Sequence, residues 1–272
     1  MTIPLVVGVD GSEASLEAVD WAADEAVRHG VPLHLPHAAA GDREASDVIG
    51  AASERVGKSA PTVRLSSEVL HEDAASALVG QGRNAFALVL GSRGLGDLAG
   101  MLLGSVSLAV AAHADCPVVV VRGGVEHRGR RFGNVVVGVE DGEGSGTAVG
   151  FAFREAHVRR CRLVGVHAWS VPVGSPGPPG LSGYAIQALR RPPAQVLAEA
   201  LRDPAERYQD VPVSSEAVEG PARRALLEAA AGADLLVVGA RRRHGHIGLQ
   251  LGLVNHAVLH HAPCPIAVVP RI

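Results

Sequence analysis

With 272 residues, 25 Lys plus Arg against 28 Asp plus Glu and a formal net charge of −3, the chain is long enough for one large domain or two of ordinary size. Lys58 is its only lysine and no run of basic residues persists, which excludes a general nucleic-acid footprint. Cys116, Cys161 and Cys264 form neither a CxxC pair nor an obvious disulfide framework and suit a reducing cytosol.

No charged leader precedes the first apolar run, so no secretory signal is expected. The longest apolar stretch, Met101 to Val121, is interrupted by His113, Asp115 and Pro117 and makes a poor membrane span. These features predict a cytoplasmic protein with no membrane span and no nucleic-acid partner.

In chain order, Leu5 to Val9 reads as a buried strand ending at Asp10-Gly11-Ser12. A helix follows, with Ser12 as its N-cap and Leu16, Val19, Ala23, Ala26 and Val27 at helical spacing, closed by Gly30. A second strand begins at Pro32 to Leu35, a short helix is expected over Asp47 to Val56, and a third strand over Val63 to Leu70. Ala74 to Val79 lies in a third helix. Phe86 to Leu90 is an apolar run of the kind that fills a parallel sheet.

After that run the glycines fall at Gly91, Gly94 and Gly104, with Ser105 directly behind the last, a pattern of G-x-x-G, nine residues, G-S. Ser105 stands where a helix N-cap is expected, before Val106, Ala109, Val110 and His113 on one face. Asp115-Cys116-Pro117 turns the chain into a fifth strand, Val118 to Val121. Glycines that admit close approach, followed by unpaired first-turn amides and the positive end of a helix dipole, suit a polyphosphate.

The order then repeats. Val136-Val137-Gly138-Val139-Glu140 matches Val6-Val7-Gly8-Val9-Asp10 at an offset of 130, and Ser145, Ala148, Val149, Glu155, Leu163 and His167 fall opposite Ser15, Ala18, Val19, Glu25, Leu33 and His37. Later the offset is 148, pairing Ser215-Glu216 with Ser67-Glu68, Gly239 with Gly91, Gly252 with Gly104 and Cys264-Pro265 with Cys116-Pro117. The offsets differ by 18 residues, which the Pro/Gly-rich segment Val171 to Gly183 accommodates as a surface insertion. Two copies of β-α-β units predict two stacked α/β domains, residues 1–122 and 134–272, joined by a polar, glycine-rich linker over 123–133.

The loop spacing together with the opening VVGVDGS resembles the universal stress protein family, in its tandem, ATP-binding form. That resemblance implies two doubly wound parallel sheets, Rossmann-like and similar to the adenine nucleotide alpha hydrolases, with strand order 3-2-1-4-5. It also implies ATP as ligand, with or without Mg, association through the fifth strands Val118 to Val121 and Ile266 to Val269, here open to pairing between the two halves, a further homodimer, and a stress-response role exerted through nucleotide-dependent conformation or an unnamed protein partner.

The strand order sets Asp10 and the Gly91 loop against one cleft at the carboxyl ends of the strands. Asp10 is a short acceptor suited to ribose hydroxyls or the adenine amino group, and Gly8 lets that wall come close. Gly91 and Gly94 shape the loop, Arg93 offers positive charge, and Gly104, Ser105, Val106 and Ser107 present amides and hydroxyls to phosphate. The second copy offers Gly138, Gly239 and Gly252, but Glu140 replaces Asp10, Arg242 replaces Gly94 and Leu253 replaces Ser105. A weaker second site follows.

Other signals carry less. Gly57-Lys58-Ser59 lacks the first glycine of a P-loop, since Ala52 stands there, and Gly94-x-Gly96-x-x-Ala99 follows the fourth strand rather than the first. His256 and His260 are four apart on a helix, near His244, His246 and His261, yet no carboxylate or cysteine completes a metal set. Neither a Walker lysine nor a recognisable Ser-His-Asp motif is present, so no catalytic residue is assigned and a binding protein is favoured over a slow ATP hydrolase. A nucleotide-independent interaction module is the competing reading.

Overall fold

Short runs of Val and Leu, buried on both faces, become the middle of one sheet. The computed structural model describes residues 2–39, 42–94, 103–122, 131–142, 145–170, 191–242 and 249–271. Its first half runs β1 (Leu5–Val7), α1 (Glu13–His29), β2 (Leu33–Ala38), α2 (Asp42–Ser59), β3 (Leu65–Leu70), α3 (Ala74–Gly82), β4 (Ala87–Gly91), α4 (Ser105–His113) and β5 (Val118–Val121). The second runs β6 (Asn134–Gly138), α5 (Gly146–Arg159), β7 (Arg162–Trp169), α6 (Pro193–Arg207), β8 (Val213–Glu219), α7 (Ala222–Ala230), β9 (Leu235–Arg242), β10 (Leu249–Gln250), α8 (Leu253–His261) and β11 (Ile266–Pro270). The insertion assigned to 171–183 and most of the 123–133 linker lie outside the described residues.

The sheet order is β3-β2-β1-β4-β5-β11-β9-β6-β7-β8, so each half has the order 3-2-1-4-5. Within each half the strands on this path are parallel. The halves join where β5 and β11 pair antiparallel, Val119 opposite Ala267. Both fifth strands are therefore interior, and among the described residues the sheet ends at β3 and β8. Any homodimer must use another surface than the fifth-strand edges.

Local chemistry explains most boundaries. Ser12 caps α1 by accepting from the Ser15 amide, and Gly30 ends it in the left-handed region at φ 63. The helix buries Ala18, Val19, Ala22, Ala23 and Ala26, while the expected core residue Val27 is 52% exposed. In α4 the N-cap is Gly104, not Ser105, and the buried face is Ser107, Val110 and Ala111. His113, expected on that face, is exposed.

The two helices α1 and α5 carry a buried ionic cluster where the halves meet. Glu25 and Glu155, equivalent in the repeat, are each 2% exposed. Arg159 Nη2 lies 2.9 Å from Glu25 and 3.4 Å from Glu155, Arg28 pairs with Glu25, and His29 Nε2 is 3.2 Å from Glu155 and 3.8 Å from Glu25. Ligand-type atoms of Glu25, His29 and Glu155 lie within 4.8 Å of one another. Two guanidinium groups already neutralise the two carboxylates, however, so a dication would bring uncompensated charge into a dry site. The cluster is an ion-pair network.

Burial pushes the Glu25 carboxyl up, and the Arg159 charge offsets this only in part. Burial acts on Glu155 in the same sense, but the His29 ring 3.2 Å away and the Arg159 charge outweigh it and hold that carboxyl low. A raised folded value means that Glu25 adds stability below its ordinary value of 4.5 and loses it as pH rises. Glu25→Gln cannot titrate, so its stability relative to the native chain is expected to improve from pH 4.5 towards 7. Urea unfolding at several pH values measures this, and a pH-independent difference would contradict it.

Candidate functional site

The carboxyl ends of β1 and β4 are adjacent because those strands pair directly, Val7 opposite Val89. Beyond β1 the chain stays in the sheet for two more residues: the Gly8 amide donates to the Val89 carbonyl at 3.0 Å and the Val9 amide to Pro36 at 3.1 Å. Asp10 thus emerges half-buried at the sheet's rim. Its Oδ1 accepts from the Ser12 amide at 2.9 Å and the Ser12 hydroxyl at 2.6 Å, a local turn that leaves helix capping to Ser12 itself. The other oxygen, Oδ2, lies 2.6 Å from where a Cβ on Gly94 would stand. Any side chain at position 94 would displace the carboxylate.

The loop and α4 meet the same rim. Ser12 Oγ lies 3.5 Å from the Arg93 carbonyl, and the Gly104 amide donates to Ser92 at 2.8 Å. Gly104 has no side chain to cap with, so the amides of Ser105, Val106 and Ser107 open α4 without a side-chain partner from the N-cap. Ser105 is exposed and Val106 half-buried. Ser107 is buried, and its hydroxyl donates to the Gly91 carbonyl at 2.7 Å, fastening α4 to β4. Arg93 is exposed, and its charge adds to burial in lowering the pKa of Arg122. Residues 95–102 of the loop lie outside the described residues.

Two of the glycines have a packing role beside the one read in the sequence. A Cβ on Gly91 would come 2.6 Å from the carbonyl carbon and oxygen of Ala14 and 2.9 Å from the Ser15 amide, so this residue sets the approach of α1 to β4. The space beside Gly8 is taken by Leu90 at 2.7 Å and Leu78 at 3.0 Å, so the missing side chain there makes room for the core. The repeat reproduces this at Gly138, which faces Leu226 and Val238.

Sequence reasoning missed His37. Its Nδ1 lies 2.7 Å from the Val9 carbonyl, and His167 Nδ1 lies 2.9 Å from Val139. A carbonyl only accepts, so Nδ1 carries the proton in both rings. The pair was visible as a match in the repeat, and its use was not.

At the second rim the parts are rearranged. β9 continues past Gly239 to Arg242 and pairs antiparallel with β10, Leu249 opposite Arg242, so a strand extension stands where the first half has its glycine turn. Glu140 Oε2 pairs with Arg241 at 2.9 Å and also with Arg271. Gly252 caps α8 without a side-chain bond, Leu253 is 86% exposed, and Asn255 takes the place of Ser107, donating to Gly239 at 3.1 Å.

The sequence model of the Universal stress protein family matches residues 1–56, 36–122 and 131–270. The chain belongs to the universal stress protein family. Within the family it resembles a universal stress protein of Mycobacterium tuberculosis, 34% identical over 295 residues that cover 98% of this chain and 96% of the relative. One of Mycobacterium bovis is 35% identical over 289 residues, covering 97% and 96%. The fold is shared with a universal stress protein from Archaeoglobus fulgidus, TM-score 0.64 at 18% identity with both chains fully covered.

Proposed function

We propose that this universal stress protein binds one ATP per chain, at the rim of its first half, and that occupancy biases its conformation or choice of partner. The observation that carries this reading is the convergence of Asp10, Gly94 and the uncapped start of α4 on one rim, while Glu140 in the equivalent place is already held by two arginines. Asp10 Oδ2 is the group for the nucleoside end. The amides of Ser105, Val106 and Ser107 serve the phosphates, with Arg93 as the nearby cation and Gly104 leaving their approach open. The second rim, with Gly138, Gly239 and Gly252, is the weaker or lost site.

No helix among the described residues is long and apolar enough to cross a membrane. The three cysteines are free, and burial pushes their thiols up to about 11, 11 and 12 for Cys116, Cys161 and Cys264. Such thiols are poor nucleophiles at neutral pH, which supports a structural rather than a reactive role for them.

Calorimetric titration of nucleotide-stripped protein is expected to give one ATP per chain. Asp10→Ala is expected to weaken ATP by about 10- to 100-fold, the loss of a hydrogen bond to a charged group, with little effect on inorganic triphosphate. Equal losses for both ligands would remove the nucleoside role of Asp10. Two sites would overturn the asymmetry, and no heat of binding would favour a nucleotide-independent interaction module.

A further inference from the structure

We propose that His256 and His260 of α8 form a two-imidazole site for one late transition-metal dication of the Cu2+, Ni2+ or Zn2+ class. They stand four apart on a helix of nine residues, the spacing that sets two side chains on one face and lets two histidines share an ion. Both are half-buried. Their rings are nearly parallel, with 16° between the planes and 6.4 Å between centroids. Closing both onto one ion, at metal–nitrogen bonds of about 2.0–2.1 Å, asks for side-chain rotation and no movement of the helix. The pair belongs to the second half alone. At the offset of 148 its equivalents in α4 are Leu108 and Ala112, whereas His261 matches His113.

The nitrogens of these rings are uncommitted. Among the described residues every histidine outside α8 has a polar partner, as His113 has in the Ala109 carbonyl at 2.7 Å and His157 in Asp210 at 2.7 Å. His256 and His260 have no hydrogen-bond or ion-pair partner among those residues. Burial and the charges of His261, His256 and Arg122 lower the pKa of His260 from 6.5, so its ring is neutral at pH 7, the form that ligates. The surroundings select the kind of ion. Arg122 stands close, donating to the Leu259 carbonyl, and among the described residues no third His, Cys, Asp or Glu completes the set. Binding therefore rests on the imidazoles, with water in the remaining positions. That donor set suits Cu2+, Ni2+ and Zn2+ and not the oxygen-seeking Mg2+ or Ca2+. The carbonyl end of α8 adds a modest attraction for positive charge.

The test titrates the full chain, untagged and stripped of nucleotide, with Cu2+, Ni2+ and Zn2+ by calorimetry, with Mg2+ as the control. Electron paramagnetic resonance then reads the nitrogen ligands of bound Cu2+. Saturable binding of one ion per chain is expected, tightest for Cu2+, with the hyperfine pattern of two imidazoles. His256→Leu with His260→Ala copies the residues of α4 onto α8 and is expected to abolish the site. Either change alone is expected to weaken it by at least about 10-fold, since even the loss of an outer-shell partner costs that much. Should the double variant fail to fold, His256→Gln with His260→Gln keeps polar side chains on the face and is expected to give the same loss. His261→Gln is expected to leave the ion bound, because neighbours in sequence do not share a helix face. ATP affinity is expected to be unchanged in the folded double variant, which separates this site from the first rim. The proposal is overturned by no saturable binding of any of the three ions, by equal binding of Mg2+, or by binding that survives loss of both histidines. Loss of the ion in His244→Gln with His246→Gln, or in Asp10→Ala, would assign it to other ligands and also overturn it.

Discussion

Arg159→Met is expected to lower the stability of the folded chain by about 3–5 kcal/mol, the range for removing one partner from a buried ion pair. Arg159 is 9% exposed and bridges the halves, with one carboxylate from each within reach and the Trp21 ring 5.7 Å from its guanidinium carbon. Burial works against its charge, and the two glutamates outweigh that effect. Methionine keeps much of the apolar stem but leaves Glu25 with Arg28 and the more distant His29, and Glu155 with His29. Urea denaturation at neutral pH measures the loss. The triple variant Arg159→Met, Glu25→Gln, Glu155→Gln removes charge from both sides and is expected to regain most of it, since neutral replacement of a whole buried network costs little. Failure of the triple variant to recover would mean that shape rather than charge holds this junction.

Gly91→Ala is expected to cost about 3 kcal/mol, the upper end for overpacking, because the new methyl would meet backbone on a neighbouring element. Side chains yield to a close contact by rotating; the Ala14 carbonyl and Ser15 amide yield only if the start of α1 moves. That start holds Ser12, whose amide and hydroxyl fix Asp10, so ATP affinity is expected to fall along with stability. Gly80→Ala supplies the control: it lies in α3 with nothing within 4 Å and is expected to gain a few tenths to about 1 kcal/mol from helix propensity. An unchanged unfolding midpoint for Gly91→Ala would show that α1 is free to shift and would remove the coupling between this glycine and the rim.

Much of this architecture was legible in the residues, and the exceptions have physical causes. Val118–Val121 stands out because four consecutive β-branched residues bounded by Pro117 leave little choice but a buried strand. Asp10 and Gly94 share a rim as the resemblance implied, since strand order alone brings them together. Gly91 was legible as a required glycine but not as a packing glycine, because sequence spacing does not say which backbone approaches. The cluster at Glu25 was overlooked because carboxylates are read as solvated. A signal existed: Glu25 falls three residues after Ala22 and seven after Ala18, inside the apolar stripe of α1. The clasp on Glu140 was beyond reach, since Arg271 is 131 residues away and nothing local marks it.

The antiparallel junction of β5 and β11 has a consequence for how the two halves diverged. In separate molecules such a seam would form and dissolve with concentration, and each copy would have to keep its own ligand to stay useful. Here a tether holds the two strands at an effective concentration that dilution does not change. On the proposed reading of one ATP per chain, the second half is thereby released from that duty: it can keep the seam, give its rim over to the Glu140 clasp, and still serve as a permanent partner to the first.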